Sequence, residues 1–353
     1  MHNIFFVFFI TLSLSISSWA HPSLLLVDAV TGEEILSDNA SQVRFPASLT
    51  KMMTLYIIFE KLKSKELSLK DSFKISKRAA RMPPIKMYLR SGTSISMRDA
   101  IHAIALKSAN DVSAAAAEYI SGSEAAFAEL MTQKAQDLGL EDTVFYNASG
   151  LPNHRHVSTA RDMVLLGRCL LRDFPEYYGV FGKTHFMFKG RQYKNTNRLL
   201  GKVDGVDGLK TGFTPVAGWN LVASRKIAGQ HIMGVVMGET SPMRRDVVMT
   251  HLLDKQVPTF EQIRQAEQTL RKRRRGRGPL LYWAIQTGVF KNRKQAQEFA
   301  EQFKKTNKKA MKVIRHRKFY STQVGHFDSS RDAKNFCNSI NNKSMKCRVV
   351  KTG

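Results

Sequence analysis

Three short segments far apart in the chain narrow its possible folds more than anything else: Ser48-Leu49-Thr50-Lys51, Ser108-Ala109-Asn110 and Lys210-Thr211-Gly212. A hydroxyl and an amine three residues apart lie on one face of a helical turn. The amine is then within reach of the hydroxyl proton, and a neutral lysine can activate a serine that is a poor nucleophile on its own. S-x-x-K alone recurs by chance in long chains. Without partners, Ser48 after Pro46-Ala47 reads as a helix N-cap, Ser108 as another cap, and Lys51 as a solvated helix lysine. The three segments together require a fold that gathers them around one reacting group.

At 353 residues the chain has room for a substantial core and two domains. Residues 4–17 are apolar or small and end in Ser18-Trp19-Ala20, a small-x-small cleavage pattern. The spacing predicts a secretory signal peptide over 1–20 and a periplasmic location. The competing reading is a retained anchor, for which the run is short. The formal net charge is +26, and from residue 255 onward 25 Lys and Arg face only 6 Asp and Glu. Such a tail suits an anionic wall polymer, an anionic lipid surface or nucleic acid, and export disfavours the last. Of the three cysteines, Cys169 lies in an apolar segment and reads as a buried thiol. Cys337 and Cys347 are either two thiols or a loop-closing disulfide of an oxidising compartment.

Residues 21–254 read as one α+β domain, an antiparallel sheet covered by helices. Strands are expected over 24–29, 219–224 and 231–237, with Lys210 on an edge strand. Helices are expected over 47–62, 97–107, 111–119, 124–138, from 158 through 171, and over 244–253. A basic linker, 255–279, follows; 256–275 reads as partly helical, and the run from Arg271 to Pro279 as a break in regular structure. It is either a solvated tether or a membrane-surface contact. In the last part Gln286-Thr287-Gly288-Val289-Phe290 recurs as Gln323-Val324-Gly325-His326-Phe327. Each copy reads strand, glycine turn, helix. With extra strands over 311–315 and 345–350 the order is βαββαβ, a small sheet with two helices on one face over 280–353.

The first of these domains resembles the low-molecular-mass penicillin-binding proteins, the D-alanyl-D-alanine carboxypeptidases of the S11 serine peptidase family. The resemblance runs through Arg44-Phe45-Pro46-Ala47-Ser48-Leu49-Thr50-Lys51, Lys107-Ser108-Ala109-Asn110-Asp111, Ser149-Gly150-Leu151-Pro152 and Asp207-Gly208-Leu209-Lys210-Thr211-Gly212-Phe213. Residues 280–353 resemble a SPOR domain, a peptidoglycan-binding module. Two departures stand out. The best-known members carry a β-rich second domain and an amphipathic anchor where this chain has a basic linker and the SPOR-like module. Many also have His after K-T-G where this chain has Phe213.

The resemblance implies Ser48 as nucleophile on the carbonyl between two terminal D-alanines, Lys51 as its base and Ser108 as proton relay to the leaving amine. Asn110 would hold Lys51 and the substrate. Lys210, Thr211 and Arg245 would meet the terminal carboxylate, and Gly212 would let the substrate backbone approach. The backbone N–H groups of Ser48 and Phe213 would form the oxyanion hole. The implied partners are stem peptides, denuded glycan strands and, as covalent inhibitors, β-lactams. No cofactor or metal is expected, since His154 and His156 lack ligand spacing. On the SPOR-like sheet Tyr282, Ala284, Gln286, Tyr320, Thr322 and Val324 are candidates, and alternation allows only one parity to face ligand. A serine β-lactamase and a D,D-endopeptidase are the alternatives of the same fold. The first is disfavoured by the absence of a Glu-x-x-Leu-Asn segment between the second and third motifs.

Overall fold

The computed structural model describes residues 21–275, 282–307, 311–315, 319–327, 330–340 and 347–352. The expected signal peptide and the end of the basic linker lie outside these residues. The chain divides into two compact units between Glu267 and Gln268.

In the first unit, strands β1 (Ser23–Asp28) and β2 (Glu34–Asp38) pair as a hairpin, and a 3-10 turn (Ala47–Thr50) then enters helix α1 (Lys51–Lys63). A small ribbon of β3 (Ser72–Lys74) and β4 (Ser94–Ser96) flanks α2 (Lys77–Ala80). Helix α3 (Met97–His102) widens into a π turn (Ala103–Lys107), followed by α4 (Asn110–Ser121), α5 (Glu124–Asp137), α6 (Ala160–Asp173) and α7 (Pro175–Tyr178). Hairpin β5 (His185–Phe188) and β6 (Arg191–Lys194) precedes β7 (Val206–Thr214), β8 (Gly218–Ile227), β9 (Gln230–Glu239) and α8 (Pro242–Leu253), and the division of the units falls within α9 (Phe260–Arg275).

The main sheet has the order β2-β1-β9-β8-β7, all antiparallel, so among the described residues β7 has one edge with no strand partner. Gly234 abuts Met249 and Leu252 of α8, whereas its neighbour Met233 meets Gly167 of α6. Strand alternation therefore sets these two helices on opposite faces. Helix α1 is buried on almost every side from Met52 to Phe59, as expected of a helix apolar all round at the centre of a domain. Each of its large apolar side chains contributes roughly 1.5–3 kcal/mol by leaving water. Ser123, Thr159 and Ser241 cap α5, α6 and α8, each hydroxyl accepting an N–H three residues on at 3.1 Å.

Three expectations need correction. The segment 47–62 does not start as an α-helix but as a 3-10 turn, and 97–107 is α-helical only to His102 before the π turn. The basic run does not break regular structure at Arg271: α9 continues through Arg275, consistent with the good helix propensity of Lys and Arg.

The second unit follows the order β10 (Tyr282–Phe290), α10 (Arg293–Asn307), β11 (Met311–Arg315), β12 (Tyr320–Phe327), α11 (Ser330–Ile340), β13 (Arg348–Thr352). Its antiparallel sheet runs β11-β12-β10-β13. Ile285 packs with Ala333 and Cys337 of α11, and Val324 with Phe303 of α10. That face is core, and by alternation it takes Tyr320, Thr322 and Val324 off the list of ligand-facing candidates. Gln286, in register with Gln323 on one side and Arg348 on the other, turns to the opposite face. Cys337 and Cys347 form a disulfide with Cα atoms 5.9 Å apart, tying α11 to the start of β13. Cys169 is a buried free thiol.

Candidate active site

Ser48 and Lys51 sit on either side of the junction between the 3-10 turn and α1. In a 3-10 turn residues i and i+3 eclipse. The Lys51 Nζ accordingly reaches the Ser48 Oγ at 3.0 Å. The cap reading of Ser48 does not hold: Pro46 and Thr50 occupy the two N-cap positions, and neither start has a side-chain cap. Ser48 is half-exposed, whereas Lys51 is wholly buried.

The Lys51 ammonium has two further acceptors, Asn110 Oδ1 at 2.8 Å and the Ser149 carbonyl at 2.5 Å. Burial first, and the nearby Lys210 second, push this amine well below the usual lysine range, while Glu124 and Asp111 pull it up. Asn110 begins α4, where its Nδ2 donates to the Pro83 carbonyl at 3.0 Å and its N–H to the Ile85 carbonyl at 2.8 Å. Its neighbour Asp111 is buried and accepts the N–H groups of Met87 (2.9 Å), Leu89 (3.3 Å) and Val112 (2.9 Å). That carboxylate fixes the 83–89 loop beside Asn110.

Ser108 follows the π turn in a left-handed backbone conformation, φ 61°. It closes the π turn as its C-cap and is not the N-cap of α4, since Ala109 holds that place without a side-chain bond. π turns and left-handed non-glycine residues both recur at functional sites. The arrangement turns the chain sharply between the π segment and Asn110.

Lys210, Thr211 and Gly212 lie on the edge strand β7. Lys210 is wholly buried and donates to the Thr211 carbonyl at 2.9 Å. Burial, then the Arg245 charge, bring its amine down to about 7. Thr211 donates to Thr196 Oγ1 at 2.8 Å. Gly212 needs a different explanation from the one its motif suggests. A Cβ there would stand 2.9 Å from the Pro46 carbonyl oxygen and 3.2 Å from the Ser48 nitrogen. The missing side chain makes room for the chain's own nucleophile turn, pressing β7 against Ser48. Phe213 is 45% exposed and stacks on Trp219 across the strand pair, centroids 3.9 Å apart.

Arg245 is not a solvated helix-start residue. It is buried on α8, with its guanidinium 6.0 Å from the Trp219 ring centroid and bonded to Asp246 Oδ1 through Nε at 3.0 Å and through Nη2. Its neighbour Arg244 pairs with the buried Glu239 at 3.1 Å. His156 is a buried ring held by Thr50 Oγ1 at 2.9 Å and by the Tyr146 N–H on Nδ1 at 3.3 Å. Burial and the Lys51 charge bring it down to about 4, so it is neutral.

Sequence reasoning passed over three contributors. The Ser149 carbonyl acts through its backbone and carries no residue-type signal, although Ser149-Gly150-Leu151-Pro152 is a recognisable segment. Glu124 is a buried carboxylate whose Oε1 accepts the Ala148 N–H at 3.0 Å. Thr196 reaches Thr211 from the segment after β6.

A profile described as D-alanyl-D-alanine carboxypeptidase (Peptidase_S11) matches residues 13–241, and a SPOR domain profile matches 282–351. The D-alanyl-D-alanine carboxypeptidase DacF of Bacillus subtilis is 35% identical over 238 residues, 66% of this chain and 61% of the relative. DacC of Escherichia coli is 38% identical over 221 residues, 61% of this chain and 55% of the relative. The chain thus spans only about three-fifths of the curated relatives it matches. Penicillin-binding protein 5 of Haemophilus influenzae superposes with a TM-score of 0.60 at 27% identity, covering 94% of this chain and 82% of that one. Penicillin-binding protein D2 of Listeria monocytogenes, solved in an ampicillin-bound form, gives 0.57 at 28% identity, covering 71% and 95%. With a profile matching more than half its length and the serine, lysine and asparagine of two motifs gathered on one amine, the chain belongs to the S11 family of D-alanyl-D-alanine carboxypeptidases, followed by a SPOR domain.

Proposed function

We propose that this protein is a periplasmic serine carboxypeptidase that removes the terminal D-alanine from peptidoglycan stem pentapeptides through an acyl-enzyme on Ser48. The observation that carries the reading is the Lys51 amine, buried and shifted toward its neutral form, held 3.0 Å from the Ser48 hydroxyl. Neutral Lys51 takes the hydroxyl proton as Oγ bonds to the scissile carbonyl carbon. The backbone N–H groups of Ser48 and Phe213 receive the oxyanion. Ser108 passes a proton to the departing amine, the C–N bond breaks, and an ester remains on Ser48. Water then attacks that ester by the reverse proton path, releasing the tetrapeptide.

The free edge of β7 suits an extended peptide added as a further strand. Lys210 and Thr211, backed by Arg245, would take the terminal carboxylate, with Asn110 on the acyl chain. The rest of the stem then runs past Phe213 toward the β7–β8 turn. A β-lactam would acylate the same oxygen. The SPOR domain would direct the enzyme to denuded glycan through the sheet face bearing Gln286, Gln323 and Arg348. The basic run from Arg271 to Arg277 adds attraction to an anionic lipid surface.

Release of D-alanine from diacetyl-Lys-D-Ala-D-Ala tests the reading. The mature protein should release it and the Ser48→Ala variant should not. Release that persists in the variant sinks the assignment of Ser48. Rapid hydrolysis of penicillin with no D-alanine release would indicate a β-lactamase instead.

A further inference from the structure

Outside the three motifs, one buried carboxylate side chain lies next to the machinery with no task yet assigned. Glu124 opens α5 and is 5% exposed. Its Oε1 accepts the Ala148 N–H at 3.0 Å, and its Oε2 pairs with Arg78 Nη2. Arg78 continues to Glu118 of α4 at 3.3 Å. The turn that Glu124 grips has two carbonyls pointing back at α1: that of Ala148 accepts the Thr54 hydroxyl at 2.7 Å, and that of Ser149 accepts Lys51 Nζ at 2.5 Å. A glutamate and a lysine are thereby joined through the two-residue segment Ala148-Ser149.

We propose that Glu124 is a positioning residue for acylation: its carboxylate fixes the Ala148–Ser149 turn that aims the Lys51 amine at Ser48. The proposal rests on Ser48 being the acylated nucleophile. The charges facing Lys51 are Lys210 from β7, Asp111 from α4 and Glu124 from α5, with the neutral His156 ring behind Thr50. Lys210 favours the neutral amine; Glu124 and Asp111 favour the charged one. Only Glu124 also holds the turn that supplies one of the amine's acceptors. The balance leaves the lowered Lys51 amine basic enough to take the Ser48 proton.

The test is the second-order rate of acylation by a fluorescent penicillin between pH 5 and 9, with thermal melts alongside. Glu124→Gln keeps an acceptor for the Ala148 N–H and removes the charge. Its plateau rate should stay within about threefold of wild type, and its acid limb should move to lower pH by roughly half a unit. Glu124→Ala loses both functions, and its plateau should fall by about tenfold or more. An unmoved acid limb in Glu124→Gln overturns the charge role, and an unchanged plateau in a folded Glu124→Ala overturns the positioning role. A purely structural glutamate would lower melting temperatures without moving the limb. Failure of the wild-type chain to acylate at all would count against the Ser48 reading, and is separable from both.

Discussion

Gly150 offers the sharpest test of how tightly the nucleophile turn is built. It has φ +77°, and a Cβ added there would lie 1.8 Å from the Ala47 carbonyl oxygen and 2.8 Å from Thr50 Oγ1. Two costs follow from Gly150→Ala. Holding an L-residue in the left-handed region costs about 1–2 kcal/mol. Relieving an overlap of more than 1 Å with backbone adds about 1–3 kcal/mol of overpacking strain. The sum is about 3 kcal/mol, a large part of a typical domain's stability. The strain also has a direction. Ala47 precedes Ser48, and Ser149, on the other side of the contact, supplies an acceptor to Lys51. A shift of about 1 Å at a reacting pair costs on the order of 100-fold in rate. Gly122 is the internal control: its φ is +74°, and nothing lies within 4 Å of its built Cβ. Gly122→Ala should therefore lose about 1–2 kcal/mol and leave acylation untouched. Urea melts and penicillin acylation rates on both variants separate the two costs. Equal stability losses with wild-type acylation in Gly150→Ala would refute the close packing of the two turns.

Other consequences can be checked in turn. Lys210, with its amine brought down to about 7, binds fewer protons folded than unfolded between that value and the free-lysine range. Stability should thus rise with pH above about 7 and up to about 10.5, and Lys210→Met should flatten that rise; an unchanged slope in denaturant melts would contradict it. Acylation should gain its full rate below the pH at which free lysine deprotonates, because Lys51 is shifted down; a rate still climbing above pH 10 would place another group as base. Ser108→Gly should relieve the left-handed backbone by roughly 1 kcal/mol while slowing D-alanine release, and a loss of stability would show that the hydroxyl carries structural weight. Reducing the Cys337–Cys347 bridge should cost the SPOR domain about 3 kcal/mol, seen as an earlier second transition in calorimetry of the full chain with and without dithiothreitol.

The gathering of Ser48, Lys51 and Asn110 was legible because the motifs, taken together, have few other uses. In the second unit the repeated strand-glycine-helix pattern gave the order of elements and two helices on one face, but not which strand parity meets them. What stayed hidden acts through the backbone or through shape. The Ser149 carbonyl is one that any residue could present. Gly212 was read only for substrate approach, and the crowding of a Cβ there against Pro46 and Ser48 had no sequence signal. The π turn at Ala103–Lys107 has the same apolar periodicity as a helix, and only its hydrogen bonding sets it apart. The β3–β4 and β5–β6 ribbons are three or four residues per strand, too short for alternation to stand out. Arg245 was picked by its place in the motif order. Its pairing with Asp246 became visible only once α8 was folded against Trp219.

Peptide mass mapping after brief exposure to benzylpenicillin addresses the nucleophile most directly. One antibiotic adduct should appear, confined to the peptide containing Ser48 and absent from Lys51→Ala. An adduct on any other serine, or one that forms as fast without the lysine amine, would contradict the proposed chemistry.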